Sequence, residues 1–112
     1  MLRIEMPRGD LRTVSFSVNQ GETKYTDFDE IYFTVKESAI DRQFKFQKKL
    51  SDGSITLLSD NSFVFRIEPE DTNPLKYGTY AFDIELVKGT SIKQTTVGEL
   101  ILTNEVTFAE NE

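Results

Sequence analysis

The chain has 112 residues and a formal net charge of −6, and it contains no His, Cys or Trp. That length suits one domain, and the missing residue types exclude a disulfide scaffold, a zinc–thiolate centre, a His metal site and a His-based catalytic triad. The acidic balance, with no cluster of Lys and Arg beyond Lys45, Lys48 and Lys49, also argues against nucleic acid as a partner.

Seven Val, eight Ile and twelve Thr stand against three Ala. Branched side chains fit a pleated surface and lose rotamer freedom in a helix, so this balance favours strands. Apolar residues alternate with polar ones in short runs. Leu2 and Ile4 begin a first strand that stops near Met6-Pro7, because Pro cannot donate to a ladder. Pro7-Arg8-Gly9-Asp10 is a turn. Val14, Phe16 and Val18 share one face of a second strand, and Asn19 to Glu22 is a loop. Ile31, Phe33 and Val35 define a third strand, with Tyr32, Thr34 and Lys36 outward. Phe44 and Phe46 place a fourth, reaching as far as Leu50.

Ser51-Asp52-Gly53-Ser54 carries the Asp-Gly signal of a hairpin turn. Ile55 and Leu57 form a short strand, Asp60-Asn61 turns, and Phe63, Phe65 and Ile67 form the sixth. Glu68 to Leu75 holds two prolines and three acids, which predicts a crossover with one helical turn near residues 69–76. Tyr80, Phe82, Ile84 and Leu86 alternate with outward Asp83 and Glu85, and Lys88-Gly89-Thr90-Ser91 turns the chain back. The last run extends from Ile92 to Thr103, with a shift near Gly98 that predicts a bulge or bend. Val106 and Phe108 extend it, giving one domain over residues 1–108 and a polar tail at 109–112.

Seven to nine strands with one crossover predict an all-β fold, an immunoglobulin-like antiparallel sandwich. In such folds a Tyr near the start of the penultimate strand returns its hydroxyl to the crossover backbone. Tyr80 has that place, with Gly78 and Asp71 upstream, and it is read as a core corner rather than a stacking ring. Phe33, Phe65 and Phe82 are the expected large core residues.

Three acidic groups invite a chemical reading: Asp27, Asp29 and Glu30; Glu68, Glu70 and Asp71; Asp83 and Glu85. None has the Asp-x-Asp-x-Asp-Gly spacing of a calcium loop, and so short a chain leaves little mass for a glycosidase cleft. The expectation is therefore no enzyme, no metal and no cofactor. Arg8-Gly9-Asp10 spells an integrin-type tripeptide and is read as chance. No run approaches the ~20 apolar residues that span a bilayer, and charges occupy the place of a signal-peptide core, so synthesis in the bacterial cytoplasm and no membrane partner are expected. Tyr25, Tyr32 and Tyr77 are the candidate interface aromatics. Leu2, Ile4, Val106 and Phe108 mark candidate edge strands for addition to a neighbour.

The residue order Arg8-Gly9-Asp10, Ile31-Tyr32-Phe33-Thr34-Val35-Lys36, Phe46-Gln47-Lys48-Lys49, Ile67-Glu68-Pro69-Glu70-Asp71-Thr72, Gly78-Thr79-Tyr80-Ala81-Phe82-Asp83-Ile84, Gly98-Glu99-Leu100 and Glu105-Val106-Thr107 spans nearly the whole chain. It resembles the small immunoglobulin-like proteins encoded in prophages of gut and related bacteria. More loosely, it is similar to the N-terminal domain of phage baseplate upper proteins. The resemblance implies a non-enzymatic virion, tail or baseplate-associated part, with Gly78, Tyr80 and Asp83 as fold determinants. Its expected partners are other phage structural proteins or a second copy. The larger baseplate proteins carry a receptor-binding extension, and the resemblance, which stops with the sandwich, gives no expectation of one here. The other reading is a small carbohydrate- or receptor-binding module, with a glycan as ligand.

Overall fold

Period-two alternation resolves into eight strands in two facing sheets, with one short helix, in a computed structural model that describes residues 2–17, 29–38, 40–59, 62–89 and 91–103. The strands are β1 (Leu2–Pro7), β2 (Arg12–Ser17), β3 (Glu30–Lys36), β4 (Phe46–Lys49), β5 (Ile55–Ser59), β6 (Ser62–Ile67), β7 (Gly78–Lys88) and β8 (Ser91–Thr103). The helix α1 (Pro69–Thr72) is the single turn expected in the crossover, with Pro at its start where no N–H is needed. The five-stranded sheet has the order β1-β8-β7-β3-β4 and the three-stranded sheet β2-β6-β5. The connections β1–β2, β2–β3, β4–β5 and β6–β7 all change sheets, and the result is an immunoglobulin-like sandwich.

The core is built on phenylalanine. Phe33 on β3 has no exposed surface, and its ring lies 4.3 Å from Phe65, 5.1 Å from Phe82 and 6.2 Å from Phe46. Phe16 stacks on Phe63 at 5.1 Å and meets Phe65 edge-on at 6.1 Å. Inward residues of β3, β6, β7 and β8 complete one continuous cluster. Phe33, Phe65 and Phe82 therefore face inward as their alternation requires.

Four details differ from the sequence reading. The sandwich is not wholly antiparallel: β1 runs parallel to β8, with Ile4 opposite Leu100 and Met6 opposite Leu102. Both strands bury those side chains, which is what joins the first and last strands of the described residues. Phe44 is 51 % exposed and precedes β4, because the turn at residues 41–45 keeps it off the core. The Asp52-Gly53 turn does form, with Gly53 at φ 86°, but it links β4 to β5 in the opposite sheet and closes no hairpin. Gly98 continues in register with Phe82 and Leu2; the irregularity in the β7–β8 ladder falls at Leu86/Val87.

Candidate functional site

The crossover is held from both sides. The buried Tyr80 hydroxyl donates to the Lys76 carbonyl at 2.8 Å, which is the corner expected from its position. Asp71 accepts from the Glu68 N–H at 2.7 Å and from Lys48 Nζ at 2.6 Å. The Lys48 and Asp71 side chains are only 13 % and 16 % exposed, so the pair is largely buried. It ties β4 to α1.

Arg8 does the same from the β1–β2 turn. Its guanidinium donates to the Asn73 and Leu75 carbonyls at 2.9 and 3.3 Å and lies 5.0 Å over the Tyr77 ring. The Gly9 N–H donates to the buried Thr72 hydroxyl at 2.8 Å. Arg8-Gly9-Asp10 is thus an anchored turn rather than a displayed tripeptide. Tyr77 is 46 % exposed, but one face of its ring is engaged by Arg8. A recess of about 410 Å³ lies beside it, lined by Glu37, Lys45 and residues 74–80.

The acidic groups are also committed. Asp29 accepts from the Gly89 N–H and lies 3.9 Å from Lys88 Nζ. Glu30 accepts from the Ile31 and Ser51 N–H groups, both at 3.0 Å. Burial pushes the Glu30 carboxyl up, but hydrogen bonds from Ser51 and Ile31 outweigh it and hold the group below its ordinary value. Among the described residues no group of acids is arranged to hold a metal ion. No helix among them is long and apolar enough to cross a membrane. Tyr25, Asp27, Val106 and Phe108 lie outside the described residues.

Asp83 and Glu85 share the outward face of β7; their register partners on β3 are Thr34 and Tyr32. Burial raises the Asp83 carboxyl, and Lys36 offsets part of that rise. Burial and the neighbouring Asp83 raise Glu85, again against Lys36. Thr34, Lys36, Ala81, Val97 and Glu99 join Asp83 around a shallow depression of about 370 Å³. Tyr32 is half-buried on this face.

The feature most open to a partner is the seam where β1 and β2 face each other across the sandwich. These are edge strands of different sheets, so no ladder joins them. One bond crosses near their connection, from Arg12 Nη1 to the Glu5 carbonyl at 3.1 Å. The rest forms a groove of about 510 Å³, with Leu2, Val14 and Phe16 on its walls and Phe82 and Ile84 on its floor. Val14 and Phe16 point inward yet remain half-buried, whereas inward residues of β3 and β6 are almost fully covered. Leu2 keeps 48 % of its surface, while Ile4 keeps 8 % and belongs to the core. Of the predicted edge residues, the structure therefore leaves Leu2 available and withdraws Ile4. Sequence reading missed Val14 and Phe16 as surface. The signal was a strand with no Lys, Pro or acid to guard its edge.

No protein-family model matches the chain, and no curated protein matches it. Solved structures do. The chain is similar to part of the endo-β-1,4-mannanase from Thermotoga petrophila at TM-score 0.58 and 13 % identity, covering 91 % of this chain and 18 % of that one. It is also similar to the NK cell receptor NKp44, a triggering partner in natural cytotoxicity, at TM-score 0.50 and 13 % identity over 90 % of this chain and 96 % of that one. At these identities the likeness is one of fold. The chain spans less than a fifth of the mannanase.

Proposed function

We propose that this chain is a non-enzymatic structural protein of a phage or prophage, a tail- or baseplate-associated part made in the bacterial cytoplasm and carried in the virion. It works through protein–protein contacts. The observation that carries the contact reading is the β1/β2 seam, where, among the described residues, a sandwich otherwise closed by packing leaves inward apolar side chains and a strand edge uncovered. The phage assignment is supported by the residue order described above.

A glycan-binding module would present rings in a row. The described tyrosines do not: Tyr80 is buried, Tyr77 sits beneath Arg8, and Tyr32 is on the far side of the five-stranded sheet from the core. The geometry thus supports assembly over sugar stacking.

The test is to purify phage particles from the bacterium that carries the gene and quantify this chain in them by mass spectrometry. A fixed copy number per particle, resistant to washing in high salt, is the expected result. Its absence from particles, together with glycan binding by the monomer, would overturn the proposal in favour of the recognition module.

A further inference from the structure

We infer that the β2 edge pairs antiparallel with the β2 edge of a second copy of this chain, centred on Ser15. This deepens the assembly reading above and rests on it for its biological setting.

Among the described residues four strands are sheet edges, and three of them are guarded. β1 carries Arg3 and Glu5 and ends in Pro7. β4 is four residues long and half of it is lysine. β5 is interrupted by the irregularity between Leu57 and Ser59. β2 has six residues in unbroken register with β6, and it contains no Pro, Lys or acid. Charged side chains, Pro and bulges are the usual means of preventing edge-to-edge pairing. Only β2 lacks all of them along its length, Arg12 at its start excepted, and that guanidinium is turned to the Glu5 carbonyl.

The β2 sequence is also complementary to itself. With Ser15 opposite its own copy, Val14 faces Phe16 of the second copy and Thr13 faces Ser17. Opposed residues in an antiparallel pair share a face, so the apolar pairs stay on the core side and the hydroxyls on the solvent side. An aromatic ring against a β-branched side chain is a favourable cross-strand pair. The two Arg12 side chains lie at opposite ends of the pairing and do not meet. The half-buried Val14 and Phe16 gain the cover that the monomer lacks, and two three-stranded sheets become one continuous sheet about a two-fold axis. Each copy carries a net charge of −6, so added salt should tighten the dimer by screening its repulsion.

The chain has no cysteine, which makes the register directly readable. Ser15→Cys, treated with a short bismaleimide, should give a covalent dimer. So should a mixture of Thr13→Cys and Ser17→Cys chains, while Thr56→Cys on exposed β5 should not. Light scattering behind size exclusion should give twice the chain mass for the unmodified protein. Ser15→Lys places two cations opposite each other and should weaken the dimer at least about tenfold. Ser15 is solvent-facing, so the far-UV circular dichroism of that variant should be unchanged. A monomer at every concentration, a dimer indifferent to Ser15→Lys, or equal cross-linking through Thr56→Cys would each overturn the pairing. A monomeric chain found in phage particles would overturn the pairing and leave the assembly role standing. A cross-linkable dimer absent from particles would support the pairing and overturn the phage role.

Discussion

The ring of Phe82 occupies the volume that a side chain at position 98 would need. A Cβ on Gly98 would fall against the ring edge and only 2.6 Å from the Leu2 carbonyl oxygen. Gly98 lies opposite both Phe82 on β7 and Leu2 on β1, so the missing side chain is what lets the first and last strands lie flat against the phenylalanine core. Gly98→Ala should therefore destabilise by overpacking, about 1–3 kcal/mol in urea denaturation. The same change combined with Phe82→Leu should recover part of that loss, because the ring edge is one of the two obstacles. An additive double variant would show that the clash is not with Phe82.

Phe33, Phe65 and Phe82 are one packed unit, with Phe33 touching both others. Each single change to Ala should cost about 3–5 kcal/mol. Phe33→Ala combined with Phe65→Ala should cost less than the sum, since the second change removes atoms that already border a cavity. Chemical denaturation measures both. A loss below about 1 kcal/mol at all three positions would contradict the packing described.

Alternation was sufficient to place strands wherever one face is buried, as in β3 and β7, because a one-residue slip would invert every side chain. Position was sufficient for Tyr80, whose hydroxyl has one nearby backbone to meet once the crossover turns. Phe44 shows where alternation fails: Phe44 and Phe46 share a period, but register pairing with β3 ends at Val35–Phe46, and beyond it the Lys45 N–H still reaches the Val35 carbonyl while Phe44 has no register partner. A glycine within a strand signals either a bulge or a close approach, and at Gly98 only the positions of Phe82 and Leu2 decide between them. Asp52-Gly53 encodes a positive φ but not which sheet comes next. The β1–β8 pairing joins the two ends of the described chain, and no local pattern reports contacts at that separation. The seam was hidden for the opposite reason. Val14 and Phe16 carry the pattern of a covered strand, and the missing neighbour appears only in the sheet order.

Lys48 and Asp71 should be asymmetric under mutation. Asp71→Ala removes the partner of Lys48 and also the acceptor for the Glu68 N–H. Lys48→Met keeps the aliphatic packing and leaves Asp71 one of its two donors. Losing one member of a largely buried pair is costly, approaching about 3 kcal/mol. Asp71→Ala should reach that range and Lys48→Met should cost distinctly less. Equal losses would mean that the helix-start hydrogen bond contributes nothing.

Tyr80→Phe deletes one hydroxyl and leaves the Lys76 carbonyl without its donor. The expected loss is about 1 kcal/mol. Arg8→Lys should weaken the same corner, because an ammonium point charge does not reproduce a guanidinium that bonds two carbonyls and covers the Tyr77 ring. Amide hydrogen exchange should localise the effect of Arg8→Lys to residues 72–80. Faster exchange spread evenly over both sheets would contradict a local latch.

The acid pair on β7 gives the pH dependence a definite sign. Burial raises Asp83 above its ordinary 3.8, and burial with the Asp83 charge raises Glu85 above 4.5, both against Lys36. A raised carboxyl binds its proton more tightly in the folded chain, so stability rises as pH falls from neutral through the folded pKa values. That gain is complete once pH is below the ordinary values. Glu30 and Asp52 are shifted the other way, Asp52 by hydrogen bonds from the Ser54 side chain and N–H, and their contribution is lost as pH falls through their lowered values. As pH falls from neutral, stability should therefore rise first, through Asp83 and Glu85, and be lost at lower pH, through Glu30 and Asp52. Asp83→Asn removes the desolvated charge and relieves Glu85. It should raise the urea midpoint at pH 7.5, and the difference from the unmodified chain should shrink as pH falls into the carboxylate range, measured at one fixed protein concentration. An unmodified chain that loses stability steadily from pH 7.5 to pH 5, or an Asp83→Asn chain that is less stable at both, would show that Asp83 is stabilised as a carboxylate where it stands.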